Sequence, residues 1–167
     1  MSKKVVLAFS GGLDTSFCVP YLKEQGYEVH TVMVNTGGFS AEEEKAIEER
    51  AMKLGAASHK NVNAVNTYYE KGIRYLIYGN ILKNATYPLS VSSERVFQAL
   101  EVLKQVKAIG ADAVAHGSTG AGNDQVRFDI VFEILAPSVE IIAPVREHGF
   151  TRQYEIDFLQ QHGFDFT

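Results

Sequence analysis

Short apolar runs and amphipathic stretches alternate along this chain, and that alternation limits the fold more than any other feature. Val5 to Phe9 is the first apolar run, and Leu13 to Gln25 reads as a helix that Gly26 ends. Glu28 to Val34 is a second strand. Ser40 and Glu43 form an S-x-x-E capping box for the next helix. In that helix Ile47, Ala51 and Leu54 fall at i, i+4 and i+7, with Gly55 just past its end. A weak third strand is expected near Ala57 to Val62, and a helix from Thr67 to Tyr78. The stretch from Gly79 to Ser93 is polar, aromatic and irregular. Glu94 to Ile109 is a well-patterned helix, with Val96, Leu100, Leu103 and Val106 on one face and Gly110 closing it. Ala113 to His116 is a short strand of buried character. A glycine-rich loop, Gly117 to Asn123, leads into a helix from about Asp124 to Leu135. Glu140 to Ala143 is the last strand, and Thr151 to His162 the last helix.

Strands that alternate with helices make a parallel sheet covered on both faces. Right-handed crossovers leave few topologies. The expected class is α/β, a doubly wound parallel sheet with helices on both faces, Rossmann-like. Ligands in such sheets bind beyond the carboxyl ends of the strands, where the strand order reverses. Two loops of unusual composition follow strands directly, Ser10 to Ser16 and His116 to Asp124. If the first strand and the Ala113 strand are neighbours, both loops face one crevice.

The 167 residues suit one domain. Hydrophobic residues at 46% and charged residues at 22% exclude disorder and collagen-like structure. Cys18 is the one cysteine, which excludes a disulfide framework and a Cys-rich metal site and fits a cytoplasmic setting. Sixteen Lys and Arg against 20 Asp and Glu give a formal charge of −4, a poor balance for gripping nucleic acid. No apolar run approaches the ~18 residues of a membrane span. The run after Met1-Ser2-Lys3-Lys4 is short and meets Gly11-Gly12, so it lacks signal-peptide form. The expectation is a protein without membrane or nucleic-acid partners.

The first loop reads Ser10-Gly11-Gly12-Leu13-Asp14-Thr15-Ser16. Paired glycines allow a tight turn and a close backbone approach to a ligand. The helix that follows opens with free N–H groups and a positive dipole end, and Ser10, Thr15 and Ser16 add hydroxyl donors. Together these suit phosphate oxygens. Asp14 is odd in an anion site; it fits if Mg²⁺ bridges the charges or if it caps the loop. The plain alternative is a strand–turn–helix junction with two glycines for the bend. Neither G-x-x-x-x-G-K-[ST] nor G-x-G-x-x-G occurs, since Gln125 stands where a third glycine would follow Gly120 and Gly122.

S-G-G-L-D-T-S after an apolar strand resembles the pyrophosphatase loop of the ATP pyrophosphatases (PP-loop enzymes, adenine nucleotide alpha hydrolase-like), which cleave ATP to AMP and pyrophosphate while adenylating a substrate. The spelling with Thr15 is similar to argininosuccinate synthases. Ala115 to Phe128, A-H-G-S-T-G-A-G-N-D-Q-V-R-F, resembles that family's A-H-G-x-T-G-x-G-N-D-Q-V-R-F. The resemblance runs from Lys4 to about Arg146. It implies a ligase of arginine biosynthesis: the ureido oxygen of citrulline attacks the α-phosphate of ATP, and the amine of aspartate then displaces AMP. It implies ATP with Mg²⁺, citrulline and aspartate as small-molecule partners, and a homo-oligomer for the full-length enzyme.

The resemblance also implies roles by position. Ala8, Phe9, Ser10, Gly11, Gly12, Leu13, Asp14, Thr15 and Ser16 would hold ATP, with Val34 lining the adenine site and Gly117 a second ATP contact. Tyr87, Ser92, Asn123 and Arg127 match positions that contact citrulline. Thr119, Asn123 and Asp124 match the aspartate site. Arg127 suits a bidentate pair with an α-carboxylate, and Asn123 also looks like a helix N-cap. No catalytic residue is assigned, and no metal-ligand pattern such as H-E-x-x-H occurs.

Other residues read as structure. Tyr87 by itself reads as a loop-packing aromatic. Arg95 reads first as a surface ion pair with Glu94 or another carboxylate, with service to a substrate carboxylate or phosphate as the alternative, His116 as hydrogen-bonded scaffold, and Cys18 as a small core residue. Glu42-Glu43-Glu44 reads as a solvated first turn. The segment Val34-Asn35-Thr36-Gly37-Gly38 departs from the family's A-D-x-G-Q, though Asn35 and Thr36 could still bond ribose or base there. The chain is also much shorter than family members. The expectation is a single ATP-binding domain over residues 1–167, without the family's C-terminal synthetase domain. Phe164 and Phe166 look like part of a segment that continues or packs on a partner. Two alternatives stay open: another adenylating enzyme with the same loop, or an ATP-binding module without turnover.

Overall fold

The structure is a computed structural model and describes residues 2–165, the side chains of Lys83, Tyr87 and Pro88 excepted. Its elements in order are β1 (Lys4–Ala8), α1 (Leu13–Glu24), β2 (Glu28–Asn35), α2 (Ala41–Lys53) and β3 (Ser58–Asn63). Next come α3 (Val65–Tyr68), a π-helical turn (Tyr69–Ile73), α4 (Arg74–Tyr78), the short strands β4 (Leu82–Lys83) and β5 (Tyr87–Pro88), and α5 (Ser90–Ile109). The chain continues through β6 (Ala113–His116), α6 (Asp124–Leu135), β7 (Glu140–Ile142), α7 (Pro144–His148) and α8 (Arg152–Gln161).

Five strands form one sheet in the order β3-β2-β1-β6-β7, and every pairing in it is parallel. Side chains alternate across it with the period-two rule. Val5 and Leu7 pack with Phe17, Leu22, Ile47, Val145 and Leu159, so α1, α2, α7 and α8 cover one face. Val6 packs with Ala99, Val102, Leu103, Phe128 and Phe132, so α5 and α6 cover the other. This is the expected doubly wound α/β sheet. β1 is buried on both faces and reads accordingly as a continuous apolar run.

Local chemistry sets the helix ends. The Ser40 side chain accepts from Glu43 N–H while the Glu43 carboxylate accepts from Ser40 N–H, the expected capping box. Gly110 closes α5 in the left-handed conformation. Four differences from the sequence reading matter. Helix α5 starts at Ser90, four residues before Glu94. The irregular stretch before it holds the β4–β5 ribbon. Helix α7 follows β7 directly, with Pro144 at its first position. Phe164 packs on the chain's own core beside α8; Phe166 lies outside the described residues.

Candidate functional site

β1 is the strand at which the order reverses. The chain runs outward from it to β2 and β3, then returns to β6 on its other side, where Ala8 pairs with His116. The loops after β1 and β6 therefore open into one crevice of about 740 Å³ beyond the carboxyl ends of the strands.

The first loop is shaped by Gly11, which sits at φ +76° with Ile47 Cγ1 3.1 Å from where a Cβ would be. Arg50 donates to the Gly11 carbonyl. Gly12 is the N-cap of α1 and brings no side-chain cap, so the first turn of the helix aims its N–H groups at the crevice. The loop's hydroxyls are already ordered. Ser10 Oγ and Thr15 Oγ1 lie 3.3 Å apart, and Thr15 Oγ1 donates to the Gly12 carbonyl at 3.2 Å. Ala8, Phe9, Ser10, Gly12, Leu13, Asp14 and Thr15 line the crevice. Gly11 and Ser16 do not line it; Ser16 is buried and donates to the Gly11 carbonyl.

The second loop lies against the first. A Cβ on Gly117 would sit 3.1 Å from the Asp14 carbonyl carbon and 3.1 Å from the Thr15 nitrogen. Any side chain there would be crowded, so that its neighbours would have to give by a few tenths of an ångström. Gly117, Ser118, Thr119, Gly122 and Asp124 line the crevice from this side. Asn123 is exposed and does not line it. Nor does its side chain cap α6, because Asn123 has φ −87° and ψ −3°, not the extended backbone of a cap. Gln125 serves the loop end instead, donating to the carbonyls of Gly120 at 2.9 Å and Gly122 at 3.1 Å.

The early start of α5 puts Ser92 in its first turn, where Arg127 reaches it. The guanidinium donates to Ser92 Oγ at 3.0 Å and to Asp124 Oδ1 at 2.6 Å. Arg95 Nε donates to the other Asp124 oxygen at 3.1 Å, and Arg95 also pairs with Glu94. Ser92, Asp124 and Arg127 thus meet beside the crevice, though only Asp124 of the three lines it. The Tyr87 side chain lies outside the described residues.

Val34, Phe39, Val102 and Phe128 give the crevice apolar walls. Asn35 and Thr36 do not line the crevice. The Asn35 amide donates to the Phe39 carbonyl and to Glu44, and its oxygen accepts from Gly37 N–H. Thr36 donates to Glu94. Asn35 holds the β2–α2 connection and Thr36 ties it to α5, and the Glu44 bond makes the Glu42–Glu44 run more than a solvated turn.

Sequence reasoning passed over Glu94, Gln98 and Arg152, which also line the crevice. It also passed over Glu155 behind it. Arg95 it took for a surface pair, and Arg95 lines the crevice as well. Glu155 is 1% exposed at the seam of α1 and α8. Burial first, then the neighbouring Asp14 carboxylate, push the Glu155 carboxyl up to about 7, against a smaller opposing pull from Arg152. One of its oxygens, Oε2, has no hydrogen-bond partner. Cys18 is fully buried nearby, its thiol pushed up mainly by burial, which makes it the inert core residue expected. Among the described residues no three potential ligands cluster as a metal site, and no helix is long and apolar enough to cross a membrane.

The sequence profile of the arginosuccinate synthase N-terminal HUP domain matches residues 4–165. The chain belongs to the argininosuccinate synthase family. It is 47% identical over 167 residues to the argininosuccinate synthase of Xanthomonas campestris pv. campestris, a match covering 98% of this chain and 42% of that one. It is 48% identical over 162 residues to that of Hyperthermus butylicus, covering 96% of this chain and 40% of the relative. The chain therefore spans about two-fifths of the length of the argininosuccinate synthases it matches. Among solved structures, a 4-thiouridine synthetase in an RNA complex with bound ATP superposes with a TM-score of 0.72 at 18% identity, covering 96% of this chain and 41% of that one. A predicted subunit of a tRNA methyltransferase from Methanocaldococcus jannaschii gives a TM-score of 0.59 at 20% identity, covering 98% and 89%. At those identities the likeness establishes the fold alone.

Proposed function

We propose that the crevice binds ATP and that this chain is the nucleotide-binding part of an argininosuccinate synthase. The observation that carries the reading is the packing of Gly117 against Asp14 and Thr15, which joins the family's two signature loops on one crevice. The triphosphate lies over the first turn of α1, where backbone N–H groups and the Ser10 and Thr15 hydroxyls face negative charge. Mg²⁺ enters with the nucleotide as part of the substrate. The base packs on the apolar walls that Val34 and Phe128 give the crevice.

Citrulline's ureido oxygen bonds to the α-phosphorus and pyrophosphate leaves. The amine of aspartate then attacks the ureido carbon, the C–O bond breaks as the C–N bond forms, and AMP leaves carrying the former ureido oxygen while the amine sheds its proton. The chain's part is to fix the reactants and stabilise charge on phosphate oxygens. By the family's pattern, Thr119, Asn123 and Asp124 take aspartate, and Tyr87, Ser92, Asn123 and Arg127 take citrulline. The oligomer and the cytoplasmic setting expected for the family go with this reading. Because the chain spans about two-fifths of its relatives, a second outcome is built in: ATP binding without turnover by this chain alone.

Calorimetric titration of Mg·ATP into the chain, with and without saturating citrulline, tests the reading. Saturable one-to-one binding, tightened by citrulline, is expected. Tight binding indifferent to citrulline would assign only the nucleotide half of the site to this chain. A folded chain, judged by circular dichroism, that binds no Mg·ATP overturns the proposal.

A further inference from the structure

We propose that His116 is a positioning residue that clamps the second loop through a neutral imidazole and one continuous chain of hydrogen bonds. His116 ends β6 and is 1% exposed. Its ring stacks on Phe128, with centroids 5.6 Å apart and planes 19° apart. The Ser118 backbone N–H lies 3.2 Å from His116 Nδ1. A backbone amide only donates, so Nδ1 carries a lone pair. The ring proton then sits on Nε2, which lies 3.0 Å from Asp129 Oδ1 and donates to it.

The other Asp129 oxygen accepts from Arg146. The same Arg146 nitrogen reaches Gln125 Oε1 at 3.3 Å. Gln125 in turn donates to the carbonyls of Gly120 and Gly122. Starting from the second residue of the loop, the chain of bonds passes under it and returns to its far end. The loop carries Gly117, Thr119 and Gly122 along the crevice and delivers Asp124 at its exit. A packing histidine would need none of this order.

The clamp has a built-in acid limit. A protonated ring bears N–H on both nitrogens, so Nδ1 would face a second donor at Ser118 and that bond is lost. Burial is the main cause holding His116 below its ordinary value. The groups facing it are Asp129 of α6 and Arg146 and Glu147 of α7; Arg146 adds to the lowering, while both acids oppose it. The neutral ring therefore persists at neutral pH.

Two measurements on the ¹⁵N-labelled chain test this. Long-range ¹H–¹⁵N correlations at neutral pH are expected to show the proton of His116 on Nε2; a proton on Nδ1 overturns the clamp. Amide-exchange protection at Ser118 is expected to fall about tenfold or more through the acid step in which the His116 ring takes up its second proton, followed by its own ¹⁵N shifts, while Val114 in β6 stays protected. His116→Asn keeps an acceptor for Ser118 but cannot titrate, so Ser118 stays protected and the acid step disappears. His116→Gln reaches toward Asp129 and abandons Ser118. It is expected to lose Ser118 protection at all pH values and to bind Mg·ATP about tenfold more weakly. An acid step surviving in H116N, or Ser118 protection unchanged in H116Q, overturns the proposal. If either variant fails to fold, the tautomer in the unsubstituted chain decides. The Mg·ATP comparison rests on the proposed function. Absence of Mg·ATP binding by the unsubstituted chain would sink that function, while the tautomer and exchange data would still judge the clamp.

Discussion

At the scale of single residues, the contact between the two loops makes the most demanding claim. A methyl group on Gly117 would meet the Asp14 carbonyl carbon, the Thr15 nitrogen and Thr15 Cγ2, each at 3.1 Å, closer than ordinary contact, and two of these atoms are backbone. Backbone in the first turn of a helix cannot swing aside as a flexible side chain would. Overpacking of this kind costs about 1–3 kcal/mol. Gly117→Ala is expected to fold with its secondary structure intact and to bind Mg·ATP about tenfold or more weakly by calorimetry. Gly120→Ala supplies the control, since the nearest atom to its Cβ is Arg146 Cγ at 3.9 Å. That substitution is expected to change stability by no more than about 0.5 kcal/mol and to leave binding unchanged. If both alanines behave alike, the close approach is not what brings the loops together. The sequence marks Gly117 as special through its motif, yet its partner stands about a hundred positions earlier, a closeness that no local spacing encodes. Asn123 shows the opposite failure. Its residue type suits a cap, but its backbone is already helical and its side chain makes no cap bond, while Gln125 donates back to the loop carbonyls of Gly120 and Gly122.

At the scale of elements, the five strands of the main sheet and the long helices were legible because each carries its own signal: a continuous apolar run for a buried parallel strand, a period near 3.6 for α5, a capping box for α2. What the sequence hid is short or borrowed from tertiary contacts. The β4–β5 ribbon has two residues per strand, and α7 has five, too few to show a period. The first turn of α5 is serine-rich and carries little apolar pattern, yet Ser92 belongs to it. The seam between α1 and α8 was hidden for a related reason, since one buried acid in a polar helix leaves no periodic trace. Glu155 gives that seam a measurable sign. Its folded-state value of about 7 lies above the ordinary 4.5, so between those values the folded chain holds more protons than the unfolded one. Its stabilising contribution is complete below about pH 4.5 and is lost as pH rises through about 7. Glu155→Gln keeps the shape and removes the ionisation. Thermal melts are expected to show the variant higher than the parent by a few degrees at pH 8, with the gap closing toward pH 5. A gap of equal size at both pH values would mean that Glu155 does not ionise across this range.

At the scale of the whole molecule, the two faces of the sheet are sealed by separate apolar clusters, yet apolar surface remains outside them. Tyr75, Ile77 and Tyr78 of α4 are 57%, 62% and 78% exposed, and Ile81 and Leu82 beyond them are 45% and 43% exposed. On α6, Val126, Ile130 and Ile134 recur every four residues and are 47%, 50% and 69% exposed. Scattered apolar residues are normal on a surface, but groups contiguous in a short segment or aligned on one helix face are not. This surface contributes little to the stability of the chain because folding hardly removes it from water. The folded chain is therefore expected to bind a hydrophobic dye such as ANS while its near-ultraviolet circular dichroism remains native, which separates exposed surface from partial unfolding. Replacing Ile77 with Lys and Tyr78 with Ser together is expected to lower the dye signal by about a third or more while the melting temperature moves by no more than a degree or two, as for surface positions generally. A melting temperature lowered by many degrees would show that these side chains support the fold. Full dye signal with an unmoved melting temperature would place the dye on the α6 face, and Ile130→Lys with Ile134→Lys would then have to remove it.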